Sequence, residues 1–386
     1  MPSLRSLFLI AFSLYAAEAA PQNRNGRNRN GNGRGGGGGS RGQQGQTAQA
    51  QADQVPQGVS VATDGSTILD TTAQVNGETV RFKVSAPADQ FTAGSGVDGG
   101  AQAAGALGSG LGLNVLLHGD GGQSFFDFPN QAVQDGLAGV AVLAPDPNLF
   151  WGGGSGLQRT DGEAHAQIVN DLVRDVLPQV LAFDADRVSF TGVSGGSLLL
   201  SGFFMPAFMQ NFASPATADA AAATAGARGA GAGAGGASLS ARQTNATAGR
   251  KESQVLLNCG ALAPQVAVSA AAAAALANTR LHFQSTQAEL AILQESIPEA
   301  LVAYERVVTD AGLGAQQVAA LQTVDNSPDG GHCEFDERGF VSGVQLMADS
   351  FAALVRPGGD GRLAGTAVAV LNPVPGNERL VFSAPA

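Results

Sequence analysis

The sequence predicts an α/β domain built on one mostly parallel sheet with helices on both faces. Three observations carry that expectation. Short apolar or β-branched runs alternate with segments of helical spacing, the order that produces parallel strands joined by crossover helices. Two of the runs, Leu113-Asn-Val-Leu-Leu117 and Gly139-Val-Ala-Val-Leu143, are nearly continuously apolar, as strands covered on both faces are. A third run, Arg187-Val-Ser-Phe-Thr191, enters a glycine-flanked turn and then the helix-compatible stretch Leu198, Leu199, Leu200, Phe203 and Phe204.

The elements follow in order. Residues 1–19 read as a secretory leader: Arg5 supplies the positive end, Leu7 to Tyr15 a short apolar stretch, and Ala17-Glu-Ala19 a small-residue cleavage site. Residues 20–58 are rich in Asn, Arg, Gly and Gln and nearly free of large apolar side chains, so they cannot bury enough surface to offset ordering entropy. They read as a disordered segment, either a solvated spacer or a basic contact to cell-wall polymers. The domain itself is expected over 59–386. It opens with strands at Thr67 to Val75 and Val80 to Val84. A Gly/Ala loop fills 92–110. In Glu163 to Phe183, Ile168, Leu172, Val173, Val176, Leu177, Val180 and Leu181 have helical spacing, with Thr160 or Asp161 as N-cap. A second low-complexity stretch, 214–250, reads as a surface insertion. Val255 to Cys259 and Arg280 to Gln284 are the next strands, Pro298 to Val308 a helix, and Val318 to Val324 a weak last strand before a helix from about Phe340. Residues after 357 have no assigned place.

Charge and cysteines bound the function. The chain of 386 residues carries a formal net charge of −11. The basic segment holds five Arg and one Asp and the leader is neutral, which leaves −15 on the domain. Such a surface excludes nucleic acid as a partner. No segment of the sequence is long and apolar enough to predict a membrane span. The two cysteines, Cys259 and Cys333, lie 74 residues apart and are expected to pair in an oxidising compartment. Asn245-Ala-Thr247 is a glycosylation acceptor sequence. No Cys/His cluster has metal-ligand spacing, so neither a metal nor an organic cofactor is expected.

The chemistry is concentrated in Thr191-Gly-Val-Ser194-Gly-Gly196. The G-x-S-x-G pattern also occurs at Gly38-Gly-Ser40-Arg-Gly42, but without a preceding strand or a following helix. Only the Ser194 turn has the strand–turn–helix context that lifts a serine hydroxyl above a sheet and aims the N–H of the next residue, Gly195, at a developing oxyanion. A serine nucleophile needs a base, and the base an orienting acid. Of His118, His165, His282 and His332, only the last two follow the serine, and His282 sits inside a strand run where a packed role is expected. His332, in Pro328-Asp-Gly-Gly-His-Cys-Glu334, lies in a glycine-rich loop and is the candidate base. The acid should follow the strand at 280–284. Glu289 is the first acidic residue beyond it, with Glu295 and Asp325 as alternatives. A second oxyanion donor is expected from Asp120 or Gly121 in Leu116-Leu-His-Gly-Asp-Gly-Gly122, where Asp120 must turn its carboxylate away from the oxyanion. Trp151, the single tryptophan, reads equally as a wall of a substrate pocket or as core, and Asp161 and His165 read as structural or surface residues.

Together the Asp184 to Gly196 run, Leu-His-Gly-Asp-Gly-Gly, Asn148-Leu-Phe-Trp151 and Gly-Gly-His-Cys-Glu-Phe-Asp336 resemble the α/β-hydrolase superfamily, in particular secreted fungal proteins akin to feruloyl esterases and polyhydroxyalkanoate depolymerases. The resemblance spans about residues 60–355. It implies Ser194, His332 and, by position, Glu289 as a catalytic triad, and an ester, small or polymer-linked, as substrate. Two rivals stand beside that expectation: a non-catalytic protein of the same fold that binds cell-wall or surface polymers, and a peptidase using the same residues.

Overall fold

The computed structural model describes residues 47–62, 65–106, 110–122, 125–126, 133–134, 136–154, 156–215, 253–286, 288–289, 296–325 and 331–334. The leader, residues 20–46, the Asn245 sequon with nearly all of the 214–250 stretch, Glu295 and everything after 334 lie outside the described residues.

Among the described residues, ten strands form one sheet. In chain order they are β1 (Gly58–Val61), β2 (Thr67–Val75), β3 (Glu78–Ala86), β4 (Gly112–Leu117), β5 (Val133–Gln134), β6 (Leu137–Val142), β7 (Val188–Val193), β8 (Gln254–Asn258), β9 (Arg280–Gln284) and β10 (Gln322–Asp325). Across the sheet the order is β1-β2-β3-β6-β4-β7-β8-β9-β10, with the short β5 paired to β6. The β1–β2–β3–β6 pairings are antiparallel, and from β6 through β4, β7, β8 and β9 to β10 every pairing is parallel. The first two expected strands thus form an antiparallel pair of nine residues each at one side, extended by β1 into a meander.

Burial explains why the central strands are so apolar. Every residue of β4, β6 and β7 is buried, so both faces of these strands are covered. Alternate residues divide between two cores, as the two-residue repeat of a strand requires. Leu113, Val115 and Leu117 of β4, Val188 and Phe190 of β7, and Val255 and Leu257 of β8 join the larger core. Leu116, Val193 and Leu256 join a smaller one with Phe125, Leu149, Cys259 and Cys333.

Eight α-helical segments are described: α1 (Ala48–Ala52), α2 (Gly162–Asp171), α3 (Leu177–Val180), α4 (Gly195–Leu199), α5 (Met205–Phe208), α6 (Ala270–Leu276), α7 (Ser296–Asp310) and α8 (Ala315–Leu321). The expected helix after Glu163 is α2 joined to α3 by a π turn, Leu172–Val176. The helix after Ser194 is α4 joined to α5 by another, Leu200–Phe204. Both π turns lead into a proline, Pro178 and Pro206. A proline ring lacks an N–H and collides with the carbonyl four residues back, and the wider turn relieves both conflicts. No described helix is long and apolar enough to cross a membrane.

Two expectations need correction. The segment assigned as disordered up to residue 58 includes α1 and the start of β1. Ala52 is fully buried in the smaller core, and Arg81 donates to the Ala52 carbonyl at 2.7 Å and the Val55 carbonyl at 3.1 Å while pairing with Asp70 at 2.8 Å. Low complexity hid a short helix whose only buried anchor is an alanine. The described residues of the Gly/Ala stretch 92–110 are loop, tied to the chain after α2: Thr92 N–H bonds the Val180 carbonyl at 2.9 Å and Gly105 N–H the Pro178 carbonyl at 2.7 Å. Val318 to Val324 is a helix, α8, that gives way to β10 only at Gln322. Alanine and glutamine favour the helix there, and pairing with β9 captures only the β-branched end, Thr323 and Val324.

Candidate active site

β7 ends at Val193, and the chain reverses at Ser194 with φ 48° and ψ −113°. This backbone is strained for a residue with a side chain, at a cost of about 1–3 kcal/mol. Neighbours hold it. Ser194 N–H donates to the Asn258 carbonyl at the end of β8 at 2.8 Å, and Leu198 N–H to the Ser194 carbonyl at 3.0 Å. The flanking glycines are required by close approach: a β-carbon on Gly192 would lie 2.6 Å from Ser197 Cα, and one on Gly196 would lie 2.1 Å from the Leu117 carbonyl oxygen. The helix start therefore packs directly on the ends of β7 and β4.

His332 arrives from a loop beyond β10. Its Nε2 lies 2.9 Å from Ser194 Oγ, and its Nδ1 lies 2.8 Å from Glu289 Oε1. Because a carboxylate faces Nδ1, the proton belongs on Nδ1, which leaves Nε2 as the acceptor of the serine O–H. The imidazole edge is accessible, with its side chain 37 % exposed, while Glu289 is fully buried. Glu289 is nevertheless fully occupied. Oε1 also accepts from Cys333 N–H at 3.0 Å, and Oε2 accepts from Thr286 N–H at 2.9 Å and Ser285 Oγ at 3.2 Å. Four donors offset the removal of this carboxylate from water.

The Cys259–Cys333 disulfide, with Cα atoms 5.2 Å apart, fixes this geometry. Cys259 directly follows Asn258, whose carbonyl takes the Ser194 N–H, and Cys333 directly follows His332. One covalent bond therefore ties the histidine loop to the strand end that holds the serine turn. Thr286 Oγ, donating to the Gly331 carbonyl at 3.1 Å, adds a second tie.

The loop after β4 closes the other side. A β-carbon on Gly119 would sit 3.4 Å from Ser194 Cβ, so the Gly119–Asp120 peptide runs beside the serine. His118 shapes the loop. Its Nε2 accepts the Ala144 N–H at 2.9 Å, so Nδ1 donates to the Gly119 carbonyl at 2.6 Å. Complete burial lowers its pKa from 6.5 to about 4, and it stays neutral. The expected donor Gly121 is otherwise engaged: its N–H bonds the Leu149 carbonyl at 3.2 Å. Of the two candidates in this loop, that leaves Asp120 N–H, on the peptide that passes the serine. The Asp120 carboxylate does not stand alone. Arg159 Nη1 donates to Oδ1 at 2.9 Å and Nη2 to Oδ2 at 2.8 Å.

Trp151 belongs to the core. It is fully buried in the larger core, with its ring 5.4 Å from that of His118 and 6.1 Å from that of His165. His165 is structural, accepting the Gly152 N–H at 2.8 Å on Nδ1. His282 is a packed strand residue facing Thr323 Oγ at 2.7 Å. Asp325 ends β10 at the far edge of the sheet, and its side chain lies outside the described residues. Arg159 was not legible in advance. The signal for it was the aspartate in an otherwise glycine-rich loop, which demands a counter-charge from somewhere in the chain.

Cys259, Glu289, His332 and Cys333 bring one potential ligand atom each within 4.8 Å of one another, but the two sulfurs are bonded to each other and offer no thiolate.

No family model matches the chain, and no curated protein matches it in sequence. Solved structures do align. A Klebsiella pneumoniae protein bearing the name dienelactone hydrolase shares 10 % identity over 74 % of this chain and 97 % of its own, with a TM-score of 0.41. A fungal esterase of Rhizomucor miehei shares 11 % identity over 76 % of this chain and 84 % of its own, TM-score 0.36. The feruloyl esterase module of Clostridium thermocellum shares 10 % identity over 71 % of this chain and 84 % of its own, TM-score 0.36. Likeness at this level carries no activity across. The chain's own architecture decides the fold: an antiparallel meander leads into a parallel sheet, the β4–β6 crossover places β4 beside β7, and a strained serine turn joins β7 to its helix. That architecture is the α/β-hydrolase fold.

Proposed function

We propose that the protein is a serine hydrolase acting on carboxylic esters, and that Ser194, His332 and Glu289 are its nucleophile, base and orienting acid. The observation that carries the reading is the continuous hydrogen-bonded line from Ser194 Oγ through His332 to Glu289, at 2.9 and 2.8 Å, on a strained turn. In the reaction, Ser194 Oγ attacks the ester carbonyl carbon while its proton passes to His332 Nε2. Glu289 holds the Nδ1 proton in place and stabilises the imidazolium that forms. The carbonyl oxygen becomes an oxyanion between the Gly195 and Asp120 N–H groups. His332 returns the proton to the departing alcohol, leaving an acyl-enzyme. Water, deprotonated by His332, then releases the acid and restores Ser194.

A secreted location fits the same reading. The leader-like first 19 residues, the acidic domain surface and a disulfide beside the site all suit an oxidising exterior. The test is hydrolysis of short p-nitrophenyl esters and a matched peptide p-nitroanilide panel by wild type and Ser194→Ala. Ester turnover abolished in the variant supports the proposal. Turnover of peptides alone would move the assignment to a peptidase, and no turnover of either would leave a non-catalytic binding protein.

A further inference from the structure

We propose that Arg159 is a positioning residue of the hydrolytic site, acting through Asp120 to remove a negative charge from beside the oxyanion. The inference rests on the serine-hydrolase reading above.

The problem it solves is on the surface of the loop. Asp120 replaces a glycine in a run that otherwise reads Gly-x-Gly-Gly, directly where an oxyanion donor is needed. Its side chain lies against the first residue of the helix after the serine: a β-carbon on Gly195 would lie 2.0 Å from Asp120 Oδ1. Asp120 N–H and Gly195 N–H are the two donors assigned to the oxyanion, and the carboxylate therefore sits next to both. A free carboxylate there would repel the charge that develops on the carbonyl oxygen, and would weaken the site most in the transition state.

Arg159 counters it with a planar two-point fork, Nη1 to Oδ1 at 2.9 Å and Nη2 to Oδ2 at 2.8 Å. Nη1 also donates to the Trp151 carbonyl at 3.0 Å, which anchors the guanidinium to the turn before α2. The two partners are placed asymmetrically. The Arg159 side chain is 1 % exposed and that of Asp120 23 % exposed, so the cation backs the carboxylate from inside while the carboxylate keeps part of its surface open. The fork fixes the direction of the Asp120 side chain, and with it the Gly119–Asp120 peptide that passes Ser194. A lysine could supply the charge but not the fork.

Steady-state kinetics on a p-nitrophenyl ester test this, with wild type, Ser194→Ala, Arg159→Gln, Arg159→Lys and Asp120→Asn/Arg159→Gln in one series, each with a thermal unfolding midpoint. Arg159→Gln is expected to lower kcat by at least about tenfold, up to about a hundredfold, with KM little changed, as loss of a transition-state interaction does. Asp120→Asn/Arg159→Gln, which removes both charges, is expected to recover most of that loss. Arg159→Lys should fall between wild type and Arg159→Gln, and it keeps the test valid if the glutamine variant does not fold. A role confined to pinning two loops predicts the reverse: the double variant no faster than Arg159→Gln, with unfolding midpoint and KM moving together. That result, or Arg159→Gln and Arg159→Lys both matching wild type, overturns the proposal while leaving the hydrolase reading intact. Absence of turnover by wild type overturns the hydrolase reading, and this proposal with it.

Discussion

Replacing Glu289 by glutamine tests the logic of the site more finely than deleting it. The carboxylate accepts on both oxygens: His332 Nδ1–H and Cys333 N–H at Oε1, Thr286 N–H and the Ser285 hydroxyl at Oε2. Glutamine has one acceptor oxygen and one NH₂ group, so one side must face donors with a donor. On the Oε1 side both partners are N–H groups, while on the Oε2 side one partner is a hydroxyl that can rotate and accept. The amide oxygen is therefore expected to face His332, leaving only Thr286 N–H opposed. The cost to folding is that one opposed buried group, about 1–3 kcal/mol. The productive tautomer of His332 survives, and what disappears is the charge that stabilises its imidazolium. At about 4 Å and an effective dielectric of about 20, that attraction is about 4 kcal/mol, or roughly 10³-fold in rate. The assay is kcat/KM for a short p-nitrophenyl ester at pH 8, with urea unfolding of the same preparation. Glu289→Gln should be folded, about 10³-fold slower, and still labelled slowly at Ser194 by a fluorophosphonate. A folded variant with more than a tenth of wild-type activity would refute the reasoning, because Glu289 would then not support the imidazolium.

Three further outcomes follow from the geometry. Stability should fall on acidification below neutral pH. His118 has a folded pKa of about 4 against 6.5 in the unfolded chain, so the unfolded state binds the extra proton in that window. Its contribution is complete above pH 6.5 and lost as the pH falls towards 4, about 3 kcal/mol in all. The lowered pKa of His165, also caused by burial, acts in the same direction. Urea titrations from pH 7 to 4 should show a slope that His118→Gln flattens, and an unchanged slope would contradict the assignment. Cys259→Ala/Cys333→Ala opens a 74-residue closure and should cost about 4 kcal/mol. It should also lower kcat, since His332 loses its covalent tie. Equal kcat in the variant at a temperature where it is folded would show that Thr286 and Glu289 suffice to place the loop. Gly195→Ala places a methyl 2.0 Å from Asp120 Oδ1 and should cost at least about tenfold in kcat. Asp120→Gly/Gly195→Ala should regain much of that activity, and failure to do so would remove Asp120 as the obstacle.

What could be read in the sequence was what local chemistry dictates. The turn at Ser194 was legible because strand, glycines and helix all lie within one short run, and each glycine answers to a close approach. Glu289 and His332 were legible through chain order, since a sheet of this topology brings the loops after β9 and β10 to the end of β7 where Ser194 stands. The features that escaped depend on partners far away in sequence. Gly121 was a plausible donor until Leu149, in another loop, took its N–H. Trp151 could not be assigned from its own neighbours, because the core it is buried in is assembled from residues distant in sequence, with His118 and His165 among its ring contacts. Residues 47–55 looked like spacer because nothing in them announces a core, yet Arg81 and the smaller core hold them. The α8–β10 boundary was missed for the same reason: helix propensity sets residues 315–321 and a sheet partner sets 322–325.

The central claim is that Ser194 forms a covalent acyl intermediate. Intact-protein and peptide mass spectrometry, after rapid acid quench of wild type with p-nitrophenyl acetate, tests it most directly. One acetyl group per chain is expected, mapped to the peptide bearing Ser194 and absent from Ser194→Ala, with a matching burst of p-nitrophenol. Turnover without any adduct at Ser194, or an adduct that persists in Ser194→Ala, would contradict it.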